Sequence, residues 1–303
     1  MTVLVTGAGG MLGRDLCTVL GSRPHTALTH VELDITDPAA VGAAVAGHEV
    51  VLNAAAWTDV DGAETAEAAA TKVNGAGVAN VAAACAATGA VLIHVSTDYV
   101  FAGDATTPYP EDAPTAPLNA YGRGKLAGER AALAAGGYVV RTGWLYGAHG
   151  RNFVTTMLRL AAERDTVDVV TDQRGQPTWS YALAQRLVEL GDAARAGTAP
   201  PGAYHGTASG ETTWYDFARA IFAEAGLDLA RIRPTTSDRF VRPARRPAYS
   251  VLGHERWAKA GLSPLAPWRA MLTAALAQPI FAELATAARL AAARLAAAGH
   301  RIR

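Results

Sequence analysis

The chain has 303 residues, with 27 Lys+Arg against 27 Asp+Glu and a formal net charge of +0 at pH 7. That balance offers no basic face for nucleic acid or an anionic membrane, and no apolar run reaches transmembrane length, so both partner classes are disfavoured against a small neutral or anionic metabolite. The length suits one large α/β domain, or a domain with a smaller lobe, and Cys17 and Cys85 lack CxxC spacing, the pattern of buried thiols in a reducing cytoplasm.

Thr2–Thr6 reads as a short buried strand with no signal-peptide core before it. The glycine-rich turn Gly7-Ala8-Gly9-Gly10-Met11-Leu12-Gly13 then opens a helix to about Leu20. Ala27–His30 is the second expected strand, Asp37–Ala46 a helix, and Val50–Leu52 a third strand ending at Asn53. Asp59 caps an expected helix through Ala70, and Val73–Ala87 is an alanine-rich helix before the fourth strand, Ala90–Val95. Strands alternating with helices imply a parallel, doubly wound α/β sheet. A proline-rich loop, Thr106–Leu118, leads to the helix carrying Tyr121 and Lys125, and Tyr138–Thr142 is the next strand.

Beyond it the alternation weakens. Helices are expected over Asn152–Glu163, Tyr181–Ala196 and Trp214–Ala225, and strands over Val167–Val170 and Ala203–Gly206. Arg231–Tyr249 is a basic, proline-punctuated loop with Arg239, Arg242, Arg245 and Arg246, and Pro279–Ala298 has strong helical propensity.

Three stretches carry chemistry. The spacing Gly7, Gly10, Gly13 directly after the first strand lets backbone approach a pyrophosphate at a helix N-terminus, with the last glycine permitting close helix–strand packing. The end of the second strand offers Thr29 and His30, with Glu32 slightly late for a ribose 2′-hydroxyl. Arg14 is a candidate for a 2′-phosphate, so NADPH is preferred and NADH stays open. Asp34 and Ile35 are candidates for the adenine border. Tyr121 and Lys125, four positions apart, share a helix face, where the cation lowers the phenol's pKa and makes it a proton donor near neutrality. Thr97, in Ser96-Thr97-Asp98-Tyr99, ends the fourth strand on the side that faces the ligand crevice, where its hydroxyl and the phenol can converge on one carbonyl oxygen, with Asp98 available to orient the threonine. No P-loop, calcium loop, HExxH or GxSxG pattern is present, and no metal site is expected.

Together the segments Val5-Thr6-Gly7-x-x-Gly10-Met11-Leu12-Gly13, Asn53-Ala54-Ala55-Ala56-Trp57-Thr58, Ser96-Thr97-Asp98-Tyr99-Val100-Phe101, Tyr121-Gly122-x-x-Lys125, Arg141-Thr142-x-Trp144-x-Tyr146-Gly147, Asp172-Gln173-x-Gly175-x-Pro177-Thr178 and Arg246-Pro247-x-x-Ser250-x-Leu252 resemble the extended short-chain dehydrogenase/reductases. Within them the likeness is to the dTDP-4-dehydrorhamnose reductases and related nucleotide-sugar 4-ketoreductases. The resemblance implies a Rossmann-type domain over 1–142, with parts of 178–210 returning to it, and a smaller substrate lobe from 143–177 and 211–303. It implies NAD(P)H-dependent reduction of the C4 keto group of a dTDP-4-keto-6-deoxyhexose, dTDP-4-dehydro-L-rhamnose first, with Thr97, Tyr121 and Lys125 catalytic. Gly7, Gly10, Met11, Leu12, Gly13, Asp34, Ile35, Ala55 and Ala56 would line the cofactor, together with Tyr121 and Lys125. Val60, Thr97, Asp98, Tyr99 and Trp144 would face the dTDP-sugar, in a cytoplasmic enzyme for which a homodimer is one expected assembly. Two other readings stay open: a 4-ketoreductase of an antibiotic deoxysugar pathway, of the dihydrostreptose type, and a non-catalytic NADP-binding regulatory subunit.

Overall fold

The computed structural model describes residues 2–300, with side chains described for residues 2–293. Six strands, β1 (Val3–Thr6), β2 (His25–Leu28), β3 (Val50–Asn53), β4 (Val91–Thr97), β5 (Tyr138–Thr142) and β6 (Gly202–His205), form one sheet in the order β6-β5-β4-β3-β1-β2. Every pairing in it is parallel. Connections leave β1 in opposite directions at the β1/β3 boundary, so the turns after β1 and β3 flank a crevice at the carboxyl ends of the strands.

Both faces of the sheet are buried, which is why its strands read as continuous apolar runs instead of alternating. Val3, Val5, Val50, Leu52 and Val140 share a core with helices α1 (Met11–Leu20) and Ser180–Arg195, while Leu4, Val51, Leu92 and Val139 pack with Val41, Val45, Val78, Val81 and Cys85 on the other face. Leu4 and Val51 are fully buried, each such side chain being worth about 1.5–3 kcal/mol. Pro38–Val45, here α2, is capped by Asp37, whose side chain accepts from Ala39 N at 2.9 Å and Ala40 N at 3.1 Å.

Several boundaries depart from expectation. The second strand lies at His25–Leu28 rather than 27–30, because Val3 pairs with His25 and Thr6 with Leu28. Beyond it Glu32 accepts from both Thr29 N and Thr29 Oγ1 at 2.8 Å, closing a turn. The helix expected over 59–70 is broken into Gly62–Thr65 and Glu67–Thr71. The next helix begins with a π-helical turn, Lys72–Gly77, before α3 (Val78–Thr88). The fourth strand runs two residues further than expected and ends on Thr97 itself. Cys17 is half-buried where a buried thiol was expected, while Cys85 is buried and its thiol is pushed up to about 12 by desolvation; both are free.

A second core lies outside the sheet. It joins Tyr146, Val154, Met157 and Leu158 to Phe217, Ile221, Phe222, Leu272 and Phe281. Asn152 starts Phe153–Glu163 with a reciprocal capping box to Thr155. The basic stretch 231–249 holds a strand, Ile232–Thr235, parallel to Val167–Val170, which its prolines and arginines hid from a pattern reading. Among the described residues no single helix is long and apolar enough to cross a membrane. Trp268–Leu276 and Pro279–His300 complete the described chain.

Candidate active site

The glycine turn is built by close backbone contact. Gly7 has φ +70, and a Cβ on it would sit 2.6 Å from Ala55 N; on Gly13 it would sit 2.2 Å from Gly7 O. Gly10 caps α1 with no side-chain hydrogen bond, so backbone N–H groups of the first turn point into the crevice. A cradle that side chains would fill, at a positive helix end, fits a dinucleotide pyrophosphate. Met11 is half-buried where Gly147 approaches it, whereas the Leu12 side chain turns into the core at 7% exposure, leaving its backbone alone to face the turn. Ala55 and Ala56 are half-buried after β3, with Ala55 N donating to Asn53 Oδ1 at 3.2 Å. Asp34 is exposed and accepts from Thr36 N at 2.9 Å, and Ile35 is buried against Gly77. Arg14 donates Nε to Gly9 O at 3.1 Å from an exposed position.

Thr97, Asp98, Tyr99, Tyr121 and Lys125 come together where β4 meets α4 (Ala120–Ala134). Thr97 Oγ1 donates to Asp98 Oδ1 at 3.0 Å and accepts from Tyr99 N at 3.2 Å, and it acts on the Tyr121 phenol so as to oppose the rise in that group's pKa. Tyr99 meets Tyr121 edge-on, the ring centroids 6.0 Å apart. Three contacts fix the first turn of α4. Asn119 caps it through Gly122 N at 2.8 Å, Asn119 Nδ2 donates to Arg245 O at 2.9 Å, and Glu64 accepts from Ala120 N at 2.8 Å.

Gly122, Gly124 and Gly128 let α4 lie close on its neighbours. A Cβ on Gly122 would meet Tyr99 O at 2.3 Å, and one on Gly128 would meet Asn74 O in the π-helical turn at 2.2 Å. Asn74 is fully buried and exchanges hydrogen bonds with Trp57, accepting from its N–H at 2.9 Å and donating to its carbonyl at 3.0 Å. Trp57 and Tyr121 pack on one small alanine cluster. Val60, half-buried, follows Asp59, whose carbonyl accepts from Trp57 Nε1 at 2.9 Å.

The electrostatics correct one expectation. Burial, reinforced by the Asp98 carboxylate, pushes the Tyr121 phenol above its ordinary value instead of lowering it. Lys125 does not offset this, because its Nζ donates to Val95 O at 2.7 Å, and its own pKa is lowered to about 8 by burial. The phenol is therefore held protonated, the state a proton donor needs. Asp98, 3% exposed, is raised to about 6, again by burial, with Ser250 and Thr97 hydrogen bonds opposing the rise. Gly143 makes room for it, since a Cβ there would lie 2.7 Å from Asp98 Cγ.

Trp144 follows Gly143 at φ +50 and stacks on Trp214, ring centroids 3.5 Å apart. Arg246 closes the crevice from the basic loop, donating to both Asp61 oxygens at 2.8 and 2.9 Å and holding that carboxyl below its ordinary value. Asn74, Asn119, Gly143, Trp214 and Ser250 had no role assigned from sequence. An asparagine in an alanine-rich helix was a readable sign for Asn74, though Asn80 stands in the same stretch; the others act through contacts across the chain that no local pattern encodes. Among the described residues, no group of three or more His, Cys, Asp or Glu is placed to hold a metal.

A family model described as RmlD substrate binding domain matches residues 1–280. The chain is 57% identical to a dTDP-4-dehydrorhamnose reductase of Streptomyces griseus, over 89% of this chain and 91% of that protein. It is 50% identical to a dTDP-4-keto-6-deoxy-D-glucose reductase of Streptomyces niveus, over 90% of this chain and 95% of the relative. A dTDP-4-dehydrorhamnose reductase of Bacillus anthracis, solved in complex with NADP, superposes with TM-score 0.86 at 35% identity, covering 91% of this chain and 98% of that one.

Proposed function

We infer the activity from the premise that this chain belongs to the RmlD substrate binding domain family. It is an NAD(P)H-dependent oxidoreductase that reduces the C4 keto group of a dTDP-4-keto-6-deoxyhexose, dTDP-4-dehydro-L-rhamnose first among them. The observation that carries the reading is the meeting of buried Thr97 and half-buried Tyr121 where β4 ends against α4, beside a glycine cradle fit for a dinucleotide.

NADPH supplies the hydride when bound. Gly7, Gly10 and Gly13 would hold its pyrophosphate against backbone N–H groups, with Ala55 and Ala56 alongside and Asp34 and Ile35 as candidates for the adenine border. Glu32 Oε2 is engaged by Thr29, which ties that carboxylate into its own turn, and Arg14, exposed and bonded to Gly9 O of the glycine turn, is the candidate for a 2′-phosphate. Tyr121 keeps its proton until charge develops on the C4 oxygen, then gives it up, and Thr97 hydrogen-bonds the same oxygen. Lys125, anchored on Val95 O, sets the cofactor side of the phenol. Asp98, Tyr99, Val60 and Trp144 border the sugar. The division into a dinucleotide-binding part, 1–142 with 178–210, and a substrate lobe, 143–177 with 211–303, is supported by the core around Phe217, while Trp257, Leu265 and Met271 of 211–303 pack into the sheet core.

Incubation with NADPH and dTDP-4-dehydro-L-rhamnose should consume NADPH absorbance and yield the 4-hydroxy sugar. Normal turnover by Tyr121→Phe would overturn the mechanism. A second substrate, dTDP-4-keto-6-deoxy-D-glucose, is favoured by the name of the Streptomyces niveus relative; the ratio of kcat/KM for the two sugars decides between them.

A further inference from the structure

Trp144 is the most constrained aromatic side chain near the crevice. Its φ of +50 lies in the left-handed region, a strained conformation for a bulky residue. The backbone is pinned there by Thr178 N, which donates to Trp144 O at 3.2 Å. One face of the indole lies on Trp214, nearly parallel at 6°. The other is closed by Gly175: a Cβ on Gly175 would lie 2.4 Å from Trp144 Cε2 and 2.7 Å from both Cζ2 and Nε1, a point above the ring plane and not beyond its edge. Trp214 is itself held, donating Nε1–H to Gln173 Oε1 at 3.1 Å and packing on Phe153 at 4.5 Å. Gln173 Nε2 in turn donates to Ser237 Oγ at 2.8 Å.

With both faces covered, what Trp144 has left to offer is its edge. The indole N–H groups of Trp57, Trp214 and Trp257 are satisfied by Asp59 O, Gln173 Oε1 and His205 O. Those of Trp144, Trp179 and Trp268 have no partner among the described residues, and of these three Trp144 is the one that follows Gly143, the glycine packed on Asp98.

We propose that Trp214 is a positioning residue for the sugar: with Gly175 it clamps the Trp144 indole so that the ring meets the substrate edge-on and donates Nε1–H to an oxygen of the hexose. A stacking platform under the sugar ring is thereby ruled out as the role of Trp144. The proposal rests on the reading of the protein as a nucleotide-sugar 4-ketoreductase and assigns the sugar contact within it.

The test compares KM for dTDP-4-dehydro-L-rhamnose and for NADPH in four variants, with circular dichroism reporting the exciton coupling of two stacked indoles. Trp214→Leu should abolish the couplet and raise the sugar-nucleotide KM on the order of tenfold, as a displaced substrate contact does, while the NADPH KM holds within about twofold. Trp214→Phe, which restores a flat face, should recover most of that KM although the couplet stays absent. Gly175→Ala should raise the sugar KM by pushing the indole aside. Trp144→Phe keeps a ring but lacks the N–H, and should also raise it. A folded Trp214→Leu or Gly175→Ala with unchanged sugar KM overturns the clamp, and an unchanged KM in Trp144→Phe overturns the edge contact. If the wild type turns over no nucleotide-linked 4-keto sugar, the reductase reading fails and the proposal with it, an outcome distinct from variant effects on a working enzyme.

Discussion

Lys125 Nζ donates to the carbonyl oxygen of Val95 at 2.7 Å, two residues before Thr97, so the buried cation is tied to the strand that carries Thr97. Burial lowers its pKa from 10.5 to about 8. In the unfolded chain it titrates near 10.5, so below about pH 8 both states are charged and the folded one bears the full desolvation cost. That cost is relieved as pH rises from about 8 to 10.5, where the unfolded state binds more protons and stability rises.

Lys125→Met removes the buried charge and is therefore expected to lower kcat by on the order of a hundredfold or more without lowering the melting temperature at pH 7. The alkaline rise in stability, about 3 kcal/mol at most, should vanish in the variant. Urea unfolding at pH 7 and pH 10 checks both statements.

Asp98 titrates in the opposite sense. Its folded pKa of about 6 stands above the unfolded 3.8, so between those values the folded protein keeps a proton that the unfolded chain has lost. The Asp98 contribution to stability is fully present below about pH 4 and falls by about 3 kcal/mol as pH rises to about 6. The difference in unfolding free energy between wild type and Asp98→Asn should shift in favour of the variant by that order across this window; a constant difference refutes the assignment.

Gly13→Ala is expected to weaken NADPH binding at least tenfold, because its Cβ would meet Gly7 O at 2.2 Å and neither backbone can retreat without opening the turn. Titration of cofactor fluorescence measures this directly. Gly136→Ala serves as the control, a positive-φ glycine with nothing within 4 Å, which should cost stability and leave cofactor affinity unchanged.

The Asp61–Arg246 pair joins segments 185 residues apart. It is partly exposed, with side-chain exposures of 33% and 14%, so a coupling of about 1–2 kcal/mol is expected from a double-mutant cycle. Asp61 is held low by Arg246, so its share of stability is present above the unfolded value of 3.8 and is lost as pH falls through the folded one. Arg246→Ala should also raise the sugar-nucleotide KM, since Ala244 N and Arg246 both bond Asp61 at the crevice rim.

The legibility of the chain followed the range of the forces involved. The strands under helices on both faces, the glycine turn and the Tyr121–Lys125 spacing are local patterns, and each was readable. Ile232–Thr235 was not, because its pairing with Val167–Val170 is set by a partner more than 60 residues away and its own Arg233 and Pro234 disguise it. The π-helical turn at Lys72–Gly77 goes with Asn74 reaching across to Trp57, a tertiary contact that overrides the helix propensity of alanine. The direction of the phenol's shift was misread for a related reason: spacing on a helix says that two side chains share a face, whereas where the lysine donates its proton depends on the neighbouring strand.

The last strand of the sheet, β6, is made some sixty residues after β5 and pairs along its whole length with it, Gly202 opposite Tyr138 and His205 opposite Arg141. The helix Ser180–Arg195 covers the same face from that later stretch. During synthesis the first half of the protein therefore emerges with an open sheet edge and a bare apolar face, and it stays adhesive until residues near 205 have left the ribosome. Cutting the gene after residue 142 should give an aggregating fragment, and the two halves of this enzyme are not separable modules.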